Sequence, residues 1–155
     1  MTSYVAHVRS PVGTFGVEGD DDAVVAIYLP HEARRASRGA APRAVARTVA
    51  QLTEYFAGRR QRFDVPLAAH DATAFQQKVW STLRAIPYGE VMTYGEVAAA
   101  SGHPGAQRAV GNANHANPWP VIVPCHRVVA ANGLGGYGGG DEVKRYLLAL
   151  EGVNF

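Results

Sequence analysis

Three β-branched residues run straight into a proline at Val121-Ile122-Val123-Pro124, and the only cysteine of the chain, Cys125, comes next, followed by His126-Arg127-Val128-Val129. No other stretch restricts the fold as much. A β-branched run predicts a buried strand, and Pro124, with no N–H to give to a sheet ladder, predicts that the strand stops there. The thiol is then expected where fixed backbone gives way to a turn, a position that holds a nucleophile still and leaves one side open to substrate. A lone cysteine in an apolar run is by default a packed structural residue. Against that default stands its company, because His126 and Arg127 are basic neighbours of the kind that favour thiolate over thiol, and thiolate is the reactive form.

The 155 residues, 47% hydrophobic and 18% charged, suit one domain or two small ones. No apolar run reaches the roughly 20 residues of a membrane span, and Met1 to Ser10 lacks the basic-then-apolar profile of a signal peptide, so a soluble protein without a membrane partner is expected. One cysteine cannot close an internal disulfide, which fits a reducing cytoplasm. The same count excludes cysteine-based zinc sites, and His7, His31, His70, His103 and His115 are too scattered for a histidine site, so no metal is expected. The net charge is +2, with nine arginines against seven acids up to residue 70 and six basic against six acidic residues after it. Any binding to DNA must therefore come from local geometry and not from a basic tail.

Residues 1–70 read as a small α/β unit. Tyr4 to Arg9, Thr14 to Glu18 and Ala23 to Leu29 predict three strands, joined through Ser10-Pro11-Val12-Gly13 and through Gly19 with Asp20 to Asp22. In the third, Val25, Ile27 and Leu29 are expected to share a face. Ala33 to Ala41 predicts an exposed loop. From Pro42 a helix is expected, with Val45, Val49, Leu52 and Phe56 inward and Gly58 ending it. Arg59, Arg60 and Arg62 read as a solvated face, and Phe63 to Ala69 as a short strand or linker. The boundary between domains, 1–70 and 71–155, is placed near His70.

After it, a helix from about Thr73 turns Phe75, Val79, Leu83 and Ile86 inward and closes at Pro87. Thr93 with Glu96 forms a capping box, so a helix begins there and runs to Ser101. Gly102-His103-Pro104-Gly105 breaks it, and a further helix spans about Ala106 to His115. Its stripe Ala106, Ala109, Val110 and Ala113 is expected to be buried; Arg108, Gly111, Asn112 and His115 take the other face. Two short helices about a tight turn are either a generic αα-hairpin or a helix-turn-helix. Asn117-Pro118-Trp119-Pro120 predicts an extended turn, and Ala130-Ala131-Asn132-Gly133 a tight one. Leu134 to Gly140 is a glycine-rich loop around Tyr137 without the G-K-[ST] ending of a phosphate loop, so it reads as a flexible wall over a pocket. A last helix from near Asp141 is expected to pack Val143, Tyr146, Leu147 and Leu150 and to bring Glu151 to its end.

Taken together these residues resemble one family closely, the O6-alkylguanine-DNA alkyltransferases. Pro124-Cys125-His126-Arg127-Val128 is similar to that family's active-site signature. It is accompanied in order by Phe75-Gln76-Gln77-x-Val79-Trp80, Ile86-Pro87-x-Gly89, Thr93-Tyr94-Gly95, Arg108-Ala109-Val110-Gly111, Asn117-Pro118, Gly136-Tyr137-x-Gly139-Gly140 and Leu147-Leu148-x-x-Glu151-Gly152. The match spans about Ala74 to Gly152. Residues 1–70 agree only in general plan. The fold the resemblance implies is a ribonuclease-H-like N-terminal α/β domain followed by a mostly helical C-terminal domain with a winged helix-turn-helix.

It also implies roles. Cys125 is the nucleophile that takes an alkyl group from guanine O6 in one displacement. His126 accepts the thiol proton through a bound water, and Glu151 orients the imidazole. A strand would point residues 125 and 126 apart, so direct contact between them is not expected. Tyr94 donates a proton to the departing guanine, and Asn117 is a hinge between the second helix and the nucleophile. Val128, Tyr137 and Gly138 bind the base, the carbonyls of Cys125 and Val128 accepting from its exocyclic amine.

Thr93, Gln107, Arg108, Gly111 and Asn112 are implied to bind duplex DNA from the minor groove, Arg108 filling the stack that the flipped base vacates. O4-alkylthymine is a second implied substrate, and a monomer without cofactor is expected, with cooperation between copies along DNA left open. Relatives often carry serine where this chain has Gly138, which is expected to affect substrate breadth more than reaction. The N-terminal metal ligands of some relatives are missing. Two other classes compete: a lesion-binding module without a nucleophile, against which Cys125 argues, and a transcription regulator, which Gln107, Arg108 and two asparagines are too few to support.

Overall fold

A computed structural model describes residues 3–32 and 34–155, and they divide into two compact units, 1–70 and 71–155, of mixed α and β structure. In the first unit β1 (Tyr4–Ser10), β2 (Gly13–Gly19) and β3 (Val24–Tyr28) form an antiparallel meander in the order β1-β2-β3. Phe15 and Val17, two apart on β2, turn the same way and are fully buried, as two-residue alternation requires. The expected face of β3 is shifted. Val24, Ile27 and Leu29 are buried, whereas Val25 is only partly so. A bulge between Glu18 and Gly19 causes the shift, pairing Gly19 with Val24 after Glu18 has paired with Ala26. Only glycine fits at that bend, because a Cβ on Gly19 would lie 2.4 Å from the Ala23 carbonyl oxygen.

Helix α1 (Arg43–Phe56) follows Pro42 and buries Val45, Leu52 and Tyr55 together with Thr48 and Gln51. Both polar groups are satisfied: Thr48 donates to the Ala44 carbonyl, and Gln51 makes two hydrogen bonds to the backbone of Asp64. Segment 66–68 runs along the free side of β3, pairing Leu67 with Val24. The expected loop begins at Ala33, which lies outside the described residues. Its remainder, 34–41, has no regular structure and is fastened along β1. Ser37 exchanges two hydrogen bonds with the backbone of Val5, and Tyr4 donates to the Gly39 carbonyl. The outer edge of the sheet is thereby covered.

In the second unit α2 (Ala74–Arg84) starts from a capping box of Thr73 and Gln76 and buries Val79, Trp80 and Leu83, with Phe75 half-buried. Helix α3 (Tyr94–Ala100) starts from the capping box of Thr93 and Glu96. A turn through Gly102 and Gly105 leads to α4 (Gln107–His115), where Val110 and Ala113 are buried while Ala106 and Ala109 are half-covered. Trp80 donates its indole N–H to the Ala113 carbonyl at 2.9 Å, tying α2 to α4.

The expected strand at 121–123 is absent. This segment is a turn, and Val121 has a φ of +77°, a conformation that a β-branched residue adopts only under strain. The reason lies in its partners. Pro118, Pro120 and Pro124 offer no N–H, and Asn117 takes the backbone groups that a neighbouring strand would have used. Its Oδ1 accepts from the Trp119 N–H and its Nδ2 donates to the Val123 carbonyl. The strand lies after Cys125. β5 (Val128–Val129) pairs in parallel with β4 (Met92–Thr93), directly ahead of α3.

Helix α5 (Asp141–Leu150) buries Val143, Lys144, Leu147 and Leu148, so the expected inward positions of Tyr146 and Leu150 are only half-buried. The true stripe repeats at 143, 144, 147, 148 and 151, a helical face that continues onto Glu151.

Candidate active site

Cys125, His126 and Arg127 form one turn of 3-10 helix rather than extended chain. Such a turn has about three residues per revolution, so successive side chains leave in directions about 120° apart. Cys125 and His126 therefore diverge, as expected, but for a different reason from the alternation of a strand. All three are buried.

The thiol keeps different company from that predicted. Burial pushes it up from its ordinary range, and hydrogen bonding from Asn117 and Tyr137 together with the charge of Lys144 pulls it back. His126 and Arg127 turn to Glu151, and the cation whose charge lowers the thiol is Lys144. That ammonium is buried and donates to the Val128 carbonyl at 2.6 Å and to the Gly136 carbonyl at 3.0 Å. Burial lowers it to about 8, with Cys125 and Asp141 opposing the fall. Lys144 was missed in the sequence, where it reads as an ordinary polar residue of an amphipathic helix. The available signal was its place three residues before Leu147 and seven before Glu151, on their face.

Tyr94 stands at the first position of α3 and donates its hydroxyl to the Gly136 carbonyl at 3.2 Å. Its phenol is raised by burial and then by the charge of Cys125. The loop carrying Gly136 is folded close against it: Gly135 has a φ of +77°, and a Cβ there would lie 3.0 Å from the Tyr94 ring and from the Ala130 nitrogen. The Gly136 carbonyl thus joins Tyr94, Lys144 and the glycine-rich loop. Pairing of β4 with β5 accounts for the convergence, since it sets the start of α3 next to the residues that follow Cys125.

On the other side His126 Nε2 donates to Glu151 Oε2 at 2.8 Å, with both side chains fully buried. Burial lowers the imidazole below its ordinary value. Glu151 opposes the shift, and the charges of Arg127 and Lys144 add to it. Its other nitrogen, Nδ1, is buried with no protein partner. Arg127, to which the resemblance assigned no role, grips both oxygens of Glu151.

The remaining predicted residues are on α4 and around it. Gln107, Arg108 and Asn112 are exposed, and Gly111 has open space where a side chain would stand. Gln107 covers Gly95 in the first turn of α3, and the Thr93 hydroxyl is engaged in capping Glu96. Gly138 faces His115 Nδ1, 3.6 Å from where a Cβ would be. Val128 is buried, its carbonyl taken by Lys144. The described residues contain no group of three or more potential metal ligands and no helix long and apolar enough to cross a membrane.

Residues 74–153 match the model of the 6-O-methylguanine DNA methyltransferase DNA-binding domain. The chain is 46% identical over 148 residues to the methylated-DNA–protein-cysteine methyltransferase of Mycolicibacterium paratuberculosis, a match covering 93% of this chain and 89% of that protein. The chain belongs to the 6-O-methylguanine DNA methyltransferase family. Solved structures agree. The Mycobacterium tuberculosis O6-methylguanine methyltransferase has a TM-score of 0.83 at 42% identity, covering 97% of this chain and 93% of that one. The M. tuberculosis OGT in complex with DNA gives 0.83 at 46% identity, covering 94% and 90%. Family membership reaches through the first unit as well, where the sequence motifs alone showed only a shared plan.

Proposed function

We propose that this protein repairs DNA directly, moving the alkyl group of O6-alkylguanine onto Cys125 in a single displacement that consumes the protein. The observation that carries this reading is a buried Cys125 followed directly by the buried His126–Glu151 pair, with Lys144 joining the Val128 and Gly136 carbonyls and Tyr94 bonded to the second of them. The thiol is held up by burial, so it needs a base in the act of transfer. Neutral His126 is the base at hand, accepting the proton on Nδ1 through a water, while Glu151 steadies the imidazolium. The Sγ–C bond forms as the C–O6 bond breaks, and the guanine leaves with the electron pair. Tyr94 gives that leaving group a proton, leaving a phenolate that Lys144, 5.9 Å from its ring, and the N-terminus of α3 favour. The thioether product is stable, which limits each molecule to one reaction.

The finer features of the reading follow from reach. A guanine O6 inside a duplex is out of range of a buried thiol, so the base must be flipped. We take α3 and α4 as the helix-turn-helix, entering the minor groove with the open face of Gly111 and Asn112, and Arg108 as the residue that fills the vacated stack. Thr93 and Gln107 flank it. Val128, Tyr137 and Gly138 hold the flipped base, and Asn117 serves as the hinge by bracing the turn 117–123. We further take the first unit as ribonuclease-H-like, the protein as a cytoplasmic monomer without cofactor, and O4-alkylthymine as a lesser substrate.

The test is stoichiometric. Incubation with a duplex containing O6-methylguanine should place one methyl per protein on the Cys125 peptide, followed by no further reaction. Repeated turnover, or methyl on another residue, would overturn the mechanism. Arg108→Ala should slow repair of duplex more than reaction with the free base analogue, and equal losses would remove Arg108 from base flipping.

A further inference from the structure

Arg127 is a buried charged group of the second unit whose role the transfer chemistry leaves open. It is buried, and three of its donors are spent with care. Nε donates to Glu151 Oε1 at 2.8 Å, Nη2 to Glu151 Oε2 at 3.0 Å and Nη1 to the Ile86 carbonyl at 2.7 Å, while the guanidinium lies 5.8 Å from the centre of the Tyr88 ring. A two-point grip of this kind fixes the plane of a carboxylate as well as its position. Oε2 is shared, because His126 Nε2 reaches it at 2.8 Å. Oε1 also accepts from the Gly89 N–H at 3.3 Å. With Arg127 in place both oxygens already receive donors, so the carboxylate is held ionised and His126 meets it as a further donor.

We infer that Arg127 is a positioning residue for the transfer: by gripping both oxygens of Glu151 it fixes His126 as the neutral tautomer with hydrogen on Nε2, leaving Nδ1 as the proton acceptor. The inference deepens the alkyl-transfer reading and rests on it. Charge counting gives the same result as geometry. Arg127 and Glu151 cancel, so a proton placed on His126 leaves a net positive charge in a buried site that already holds Lys144. The groups facing the imidazole are Glu151 from the end of α5, Lys144 from the middle of α5, and Cys125 and Arg127 from its own turn. Glu151 alone favours the charged ring, and Arg127 offsets it. Without Arg127 the unbalanced carboxylate would hold His126 protonated, and a protonated imidazole cannot take the thiol proton.

Two measurements on DNA-free protein test this independently of whether methyl is transferred. The 15N shifts of His126 in the unaltered protein should show a protonated Nε2 and a bare Nδ1 at pH 7.5; the opposite tautomer would overturn the inference. In Arg127→Met the His126 ring should titrate at higher pH than in wild type, and in Arg127→Lys, which keeps the charge but not the two-point grip, it should lie between. The kinetic counterpart is single-turnover transfer to methylated duplex. Arg127→Met should react at least about ten-fold more slowly than wild type at pH 6 and recover toward pH 8, since a general base contributes of that order or more. A lower melting temperature with His126 titration and the pH profile unchanged would make Arg127 merely structural. If no variant or wild type transfers methyl while the tautomer and titration behave as stated, the function reading fails and the positioning of His126 stands.

Discussion

The two units bury polar groups for different ends. In the first, the described buried polar side chains are Thr48 and Gln51, both neutral and both bonded to backbone, inside a core of Phe15, Val17, Leu52 and Tyr55. In the second, His126, Arg127, Lys144 and Glu151 are buried, and the same unit holds a strained Val121 and a desolvated thiol. Burying charge costs several kcal/mol per ion unless partners offset it, so a fold keeps such a cluster at a cost in stability. The contrast shows where the described residues keep their buried charge and their positive-φ valine: in the second unit, around Cys125 and Glu151.

The most severe break of that contrast is Cys125→Ala. Methyl transfer should fall to nothing while binding to lesion-bearing duplex, read by fluorescence anisotropy, is retained; loss of both would make Cys125 a core residue like those of the first unit. Next, Leu52→Ala should lower unfolding free energy by about 3 kcal/mol, as large-to-small core changes do, yet leave the rate at which a haloacetamide modifies Cys125 unchanged in the folded protein. A coupled change in thiol reactivity would mean that the first unit also serves the site. Smaller again is the difference between two buried valines. Val123→Gly should cost about 3 kcal/mol in burial and chain entropy, but Val121→Gly about 1 kcal/mol, because glycine relieves the positive φ. Equal costs would mean that Val121 is unstrained.

The smallest effect is a pH slope. His126 is held below its ordinary value of 6.5, so the unfolded chain takes up a proton before the folded one. Stability is therefore complete above that pH and is lost as pH falls below 6.5 toward the folded value. In denaturant titrations the stability of wild type minus that of His126→Gln should shrink from pH 7 to pH 5. A constant difference would mean that His126 titrates alike in the folded and unfolded chain, and a difference that grew toward pH 5 would place a charged imidazole in the folded protein.

Much of this was legible in the sequence because the signals were local. Thr93 with Glu96 dictated a helix start, Gly102 to Gly105 its neighbour's separation, and the β1, β2 and α1 patterns their elements, each through a few adjacent residues. Pro124-Cys125-His126 marked the chemistry for the same reason. What failed depended on distant partners. Val121 to Val123 has strand-forming residues, yet three prolines and the Asn117 amide deny it a ladder. On β3 the first inward position moved from Val25 to Val24 because of a bulge in its neighbour strand, while Ile27 and Leu29 stayed inward.

The chain alone pointed to one sulfur, a histidine beside it and a capped helix opening with Tyr94, since those follow from residue types and short spacings. Only the tertiary structure decided which cation serves the sulfur. Lys144 and Arg127 look alike as solvent-seeking charges in a sequence; burial and the positions of the Val128 carbonyl and the Glu151 carboxylate set one toward the thiol and the other on the carboxylate that His126 meets. Charges act through space, and distance in space is not written along the chain.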